Sequence, residues 1–116
     1  MSEIKDLVER TLVWAKNKGI LDHGNALAQN YKTQEEVDET REALFAKANN
    51  VQQYQNKKGK WVFPDEEIKD GIGDQLVTVI IQAELAGYTV EECLESVLEI
   101  IELRTGKMVN GQFVKN

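Results

Sequence analysis

The stretch from Ile72 to Leu85 constrains the fold more than any other, because Leu76, Val77, Val79, Ile80, Ile81 and Ala83 leave it apolar on nearly every side. A helix with so little polar face has to be surrounded by other elements, so the chain needs a bundle around it. Glu66, Glu67, Asp70 and Asp74 lead into this run. At three- and four-residue spacing, the stripe holding Glu67, Asp70 and Asp74 continues through Val77, Thr78 and Ile81, which puts acids and core on one line. A solvated acidic face belongs opposite the core. An unpaired buried carboxylate is strongly disfavoured unless it is protonated, ion-paired or bound to a metal. Few basic residues lie nearby, which favours a metal.

A second acidic stretch, Lys32-Thr-Gln-Glu35-Glu36-Val-Asp38-Glu39, precedes it. Glu36 and Glu39 are three residues apart and share a helical face, as do Asp70 and Asp74, so four carboxylates can meet across one helix–helix contact. Gln29, Lys32, Glu36, Glu39 and Ala43 form one side of the first helix, with Leu27, Val37, Leu44 and Phe45 roughly opposite. Taken alone, that helix reads as a surface helix. The competing reading, acids on a wet face and at a helix start, explains either stretch separately better than both together.

The length of 116 residues and a 41% hydrophobic content fit a single domain over 1–116. A bundle of this size leaves much of a central apolar helix poorly covered, which predicts self-association. The net charge of −6 and the absence of a long Lys/Arg cluster argue against nucleic-acid polymers as partners. A free nucleotide stays compatible, because a divalent metal reverses the sign of an acidic pocket. No export signal and no membrane-length apolar run are visible, so a cytoplasmic protein without membrane association is expected. The lone Cys93 reads as a small core residue on an amphipathic segment, and a single cysteine suits a reducing compartment.

Taken in order, the pattern predicts an all-α, four-helix-bundle-like fold. Helix one spans about 3–17, with Ser2 as N-cap and Trp14 beside its apolar stripe. His23, the only histidine, reads as a loop residue, and Asp22 or Asn25 is placed to cap helix two at about 26–48. Residues 49–60, amide-rich and then basic, read as a long exposed loop. Within it Lys57, Lys58 and Lys60 can reach phosphates or stay solvated. Trp61-Val62-Phe63 returns to the core, and Pro64 opens helix three at about 65–86. Gly71 and Gly73 inside it each cost roughly 1 kcal/mol against alanine, which close approach beside the acids would explain. Thr89 and Glu92 form a capping box for helix four at about 90–104. In the tail, 105–116, Asn110-Gly111 favours a tight hairpin, with a frayed end as the alternative.

With Gln29, Lys32, Glu35, Glu36 and Glu39 followed by Glu66-Glu67-Ile-Lys-Asp70-Gly-Ile-Gly-Asp74 and an apolar helix, the chain resembles the MazG-like nucleoside triphosphate pyrophosphohydrolases. It looks most like their short single-domain phage and bacterial members, from Trp14 to the tail. The resemblance implies an all-α bundle that dimerises or tetramerises and hydrolyses nucleoside or deoxynucleoside triphosphates to monophosphate and pyrophosphate. It implies magnesium, or manganese in its place, on Glu36, Glu39 and Asp74, with Glu35 helping to hold a second metal or the attacking water. Asp70 stands in for a family glutamate whose position here is Gly71, and Ile81 occupies the place of a frequent family asparagine. Lys32, Arg104 and Lys107 are the basic groups available to the departing pyrophosphate, and Trp14, Tyr31, Tyr54 and Trp61 are available to stack on a base. The alternative is a helical oligomerisation or interaction protein of the same fold with weak or lost activity, a reading that Gly71 supports.

Overall fold

The computed structural model describes residues 2–116 and is dominated by helix. Its elements are α1 (Ile4–Asn17), α2 (Ile20–His23), α3 (Ala26–Ala48), β1 (Tyr54–Gln55), β2 (Trp61–Val62), α4 (Pro64–Leu85), α5 (Val90–Ile101), β3 (Gly106–Val109) and β4 (Gln112–Lys115). The four expected helices appear, the last ending at Ile101 rather than near Arg104. An all-α description is too narrow, however, because two small antiparallel sheets are present, β1–β2 and β3–β4.

Local chemistry explains most of the boundaries. The Ala28 N–H donates to the Asn25 carboxamide oxygen at 2.8 Å, capping α3. The Glu92 N–H donates to the Thr89 hydroxyl at 3.0 Å and caps α5. Pro64 is the first residue of α4, followed by Asp65, Glu66 and Glu67 in its first turn. α1 departs from expectation: Glu3, not Ser2, is its N-cap residue, and no side chain caps it. His23 ends the one-turn helix α2, which Gly19 introduces at φ 80°.

The stretch read as an open loop is instead a hairpin tip. Asn56 builds it: its side-chain oxygen accepts from the Lys58 and Lys60 N–H groups, both at 3.0 Å, while Gly59 takes φ 77°. Only Val62 of Trp61-Val62-Phe63 returns to the core, while Trp61 and Phe63 stay exposed. In the second hairpin Asn110 and Gly111 adopt φ 49° and 82°, the double positive φ that a tight two-residue turn requires.

The centre of the fold is the antiparallel pair α3–α4. Its register is marked by Asn30 against Gln82, Thr33 against Thr78, Thr40 against Gln75 and Lys47 against Asp65. α1 packs on the other side of α4, with α2 bridging back to both. Ile81 is the largest fully buried side chain, accompanied by Val8, Ala15, Ala43, Val62 and Ile80. The expectation that α4 is covered on all sides fails within one chain, since Ile72, Leu76 and Val79 are exposed. The reason lies in α5, which touches α4 only sparsely, so that every residue from Glu91 to Asn116 is exposed. Cys93 is therefore exposed as well, and its assignment to the core is wrong for the single chain.

Candidate functional site

The site grows out of the α3–α4 seam. α3 turns its polar side inward, so that Glu36, Thr40 and Ala43 are buried, while Leu27, Leu44 and Phe45 face outward. This inverts the orientation expected for a lone surface helix. Close approach makes it stable. A Cβ on Gly71 would lie 2.2 Å from the Thr40 hydroxyl oxygen, so only glycine lets α4 come this near α3. The buried hydroxyls are then satisfied across or along the helices. Thr40 donates to the Glu36 carbonyl at 2.7 Å and accepts from the Gln75 amide at 3.0 Å, and Thr33 donates to Thr78 at 2.9 Å. Among the described residues no buried side-chain polar atom lacks a partner. Gly73 behaves differently: a Cβ there meets nothing within 4 Å, so close packing is not the reason for this glycine.

On this seam the acids face one another. Glu36 is 8% exposed, and its carboxyl pKa is raised first by burial and then by the charges of Glu39 and Asp74. Asp74 sits at the rim, an exposed residue whose carboxyl is still partly withdrawn from water. Its pKa is raised by that desolvation, then by Asp70 and Glu39. Lys32 opposes both shifts from 3.6 Å off the Glu36 carboxylate, and it bonds Glu35 at 3.1 Å. That bond, ahead of the charge of Glu36, keeps the Lys32 ammonium above its ordinary pKa. Two carboxyls are thus pushed toward protonation, first by burial and then by neighbours of their own sign, with one lysine as partial counterweight.

Glu36, Glu39, Asp70 and Asp74 consequently lie close enough for their charges to act on one another, as the sequence spacing suggests. Only Glu36 is buried; Glu39 and Asp70 are exposed, so the acids border the core rather than enter it. Among the described residues no three Asp, Glu, His or Cys side chains converge into a ready metal cage. Excess negative charge, oxygen-only donors and desolvation at Glu36 are nevertheless the chemistry that suits a hard divalent cation.

A pocket of about 470 Å³ opens beside the acids, lined by Trp14, Asn25, Gln29, Lys32, Glu36 and Asp74 over a floor that includes Ile81. Its volume suits a small-molecule ligand. Trp14 also lines a larger cleft between α1 and α4, and at 48% exposure it serves as pocket wall rather than core. Arg104 and Lys107 line neither pocket, the first lying in the connection between α5 and β3 and the second on β3. Sequence reasoning passed over Thr40 and Gln75, which bind the seam at Gly71, and it gave Asn25 and Gln29 no place in the pocket that they line. Tyr54, read as a stacking candidate, lines neither pocket; it is half-buried, and desolvation together with Glu67, Glu42 and Glu39 raises its phenol pKa. The i, i+4 repeat of Glu36 and Thr40 was the available signal for the first.

No helix among the described residues is long and apolar enough to cross a membrane. Comparison of the chain with protein-family models, with curated proteins and with solved structures finds no match.

Proposed function

We propose that the protein is a magnesium-dependent nucleotide pyrophosphohydrolase working at the α3–α4 groove. The observation that carries this reading is Glu36, a buried carboxylate pushed toward protonation by burial, Glu39 and Asp74 with only Lys32 to offset it. Such an arrangement destabilises the empty groove and favours a divalent cation on Glu36, Glu39, Asp74 and Asp70. Magnesium, or manganese in its place, supplies positive charge to phosphate oxygens and acidifies water.

The remaining roles belong to the chain. Glu35, exposed and beside Lys32, orients water and accepts its proton as phosphorus is attacked. Lys32 on the pocket wall meets charge developing on the phosphates. Trp14 offers a face for the base, and Asn25 and Gln29 offer amides for its edge. The bond broken lies between the α- and β-phosphates, releasing monophosphate and pyrophosphate.

The test is a panel of eight common nucleotides with magnesium. At least one should yield pyrophosphate and not orthophosphate, and Glu36→Ala should lower release by about 1,000-fold or more. The close contact of Gly71 with Thr40 leaves no room for a carboxylate at position 71 and supports a second reading, a helical scaffold with weak or lost activity. Silence of the whole panel with both magnesium and manganese selects the scaffold.

A further inference from the structure

The polar residues of the pocket beside the acids are strung along one face of α3. Asn25, Gln29, Lys32 and Glu36 follow one another at three- and four-residue spacing, so Asn25 lies about 10 Å along the helix axis from Lys32. Lys32 and Glu36 make one end of this line charged. At the other end Ile20, Gly24 and Ala28 adjoin Asn25 and are apolar. A nucleotide laid along this face with its phosphates at Lys32 turns the far edge of its base to Asn25. That edge is position 4 of a pyrimidine or position 6 of a purine.

What Asn25 shows to that edge is fixed by its work as a helix cap. Its side-chain oxygen accepts the Ala28 N–H at 2.8 Å, and since only the oxygen can accept, the backbone donor sets which way the amide points. The amide nitrogen keeps both protons, and among the described residues it donates to nothing. Gly24 holds the cap in place. A Cβ there would lie 2.6 Å from the Ile20 carbonyl oxygen, so the turn from α2 into Asn25 tolerates no side chain. Gln29, one turn further along, has neither end of its amide engaged and rotates to suit a donor or an acceptor. We propose that the groove selects nucleotides whose base carries an oxo group at the far edge, such as uracil or hypoxanthine, over those carrying an amino group there, cytosine and adenine. An oxo oxygen receives the Asn25 N–H. An exocyclic amino group sets donor against donor and leaves both unpaired. The inference rests on the nucleotide reading of the groove and adds to it which bases are taken.

The experiment compares substrates that differ at this edge, dUTP with dCTP and dITP with dATP, by kcat/KM with magnesium. The unreactive monophosphates dUMP and dCMP are compared by NMR titration. The oxo member of each pair should be favoured about 10-fold or more. Asn25→Ser keeps a capping oxygen but has no amide, so α3 stays helical and the preference should fall to near parity. Asn25→Asp caps equally well and offers only acceptors, so the preference should reverse. Turnover that is equal or favours the amino member, or an oxo preference that both variants leave unchanged, overturns the inference while the hydrolase reading stands. Preferential binding of dUMP without turnover of any triphosphate keeps the inference and removes hydrolysis. Failure of every nucleotide to bind overturns both.

Discussion

The α3–α4 seam and the C-terminal arm invert what residue type alone suggests. The seam is built from Thr33, Glu36, Thr40, Gly71, Gln75 and Thr78, mostly small or polar, and it is the most extensive contact between two elements of the fold. The arm carries Leu94, Val97, Leu98, Ile101 and Phe113, and it is bare. Size and hydrogen-bond geometry account for the difference. Small residues let two helices approach until each hydroxyl finds a carbonyl, an amide or another hydroxyl, and every buried polar group is then satisfied. An apolar stripe has no such self-sufficiency and is stable only against a surface of matching shape. The seam is therefore vulnerable to added volume, and the arm to the loss of whatever covers it.

The largest effect on this contrast should come from Gly71. Placing there the glutamate that the family resemblance expects, Gly71→Glu, forces a charged side chain into the Thr40 hydroxyl and should cost more than about 3 kcal/mol in urea unfolding. Gly71→Ala gains about 1 kcal/mol of helix propensity but overpacks the seam by about 1–3 kcal/mol, for a net loss of up to about 2 kcal/mol. A stable, more active Gly71→Glu protein would break the account of the seam.

Next in size is a response to pH with an unusual sign. Glu36 and Asp74 have folded-state pKa values above their ordinary 4.5 and 3.8, so the folded protein binds protons more readily than the unfolded chain. Their ionised pair penalises the fold at neutral pH. That penalty is relieved as pH falls through the raised values toward the ordinary carboxylate range. Metal-free protein should thus gain thermal stability on mild acidification from neutral pH. Glu36→Gln should flatten the gain, and excess magnesium at neutral pH should supply a similar stabilisation. A Tm that falls steadily from pH 7 downward, unaffected by Glu36→Gln, would show the groove to be fully solvated.

Much of this was legible before any coordinates. Pro64, Asn25, Thr89 and the Asn110-Gly111 pair each carry a local instruction that the backbone obeys, and the helical spacing of Glu36 with Glu39 and of Asp70 with Asp74 anticipates that their charges act on one another. Three things were not legible. The β1–β2 hairpin depends on one side chain, Asn56, organising its turn, which composition disguised as loop. The inward turn of the polar face of α3 depends on the gap that Gly71 opens on a different helix, a fact about pairs rather than about either segment. The bareness of Cys93 and the α5 stripe follows from α5 standing away from α4, and periodicity predicts that a face is apolar without saying which chain covers it.

Smaller effects separate the arm's local order from its cover. Thr89→Ala removes the bond to the Glu92 N–H and should destabilise the first turn of α5 by about 1 kcal/mol. Hydrogen exchange should accelerate at the α5 amides and leave those of α3 and α4 unchanged. Acceleration spreading into α3 would mean that arm and seam unfold as one unit.

The smallest and most discriminating comparison lies two residues from Gly71. Gly73→Ala adds a methyl group where nothing stands within 4 Å, so helix propensity alone applies and the chain should gain about 0.5–1 kcal/mol. One glycine is then required by contact with the neighbouring helix and the other is not, though both share a helix and an acidic neighbourhood. Equal losses at Gly71 and Gly73 would mean that the cost arises within α4 itself, and the seam's dependence on close approach to Thr40 would fall with it.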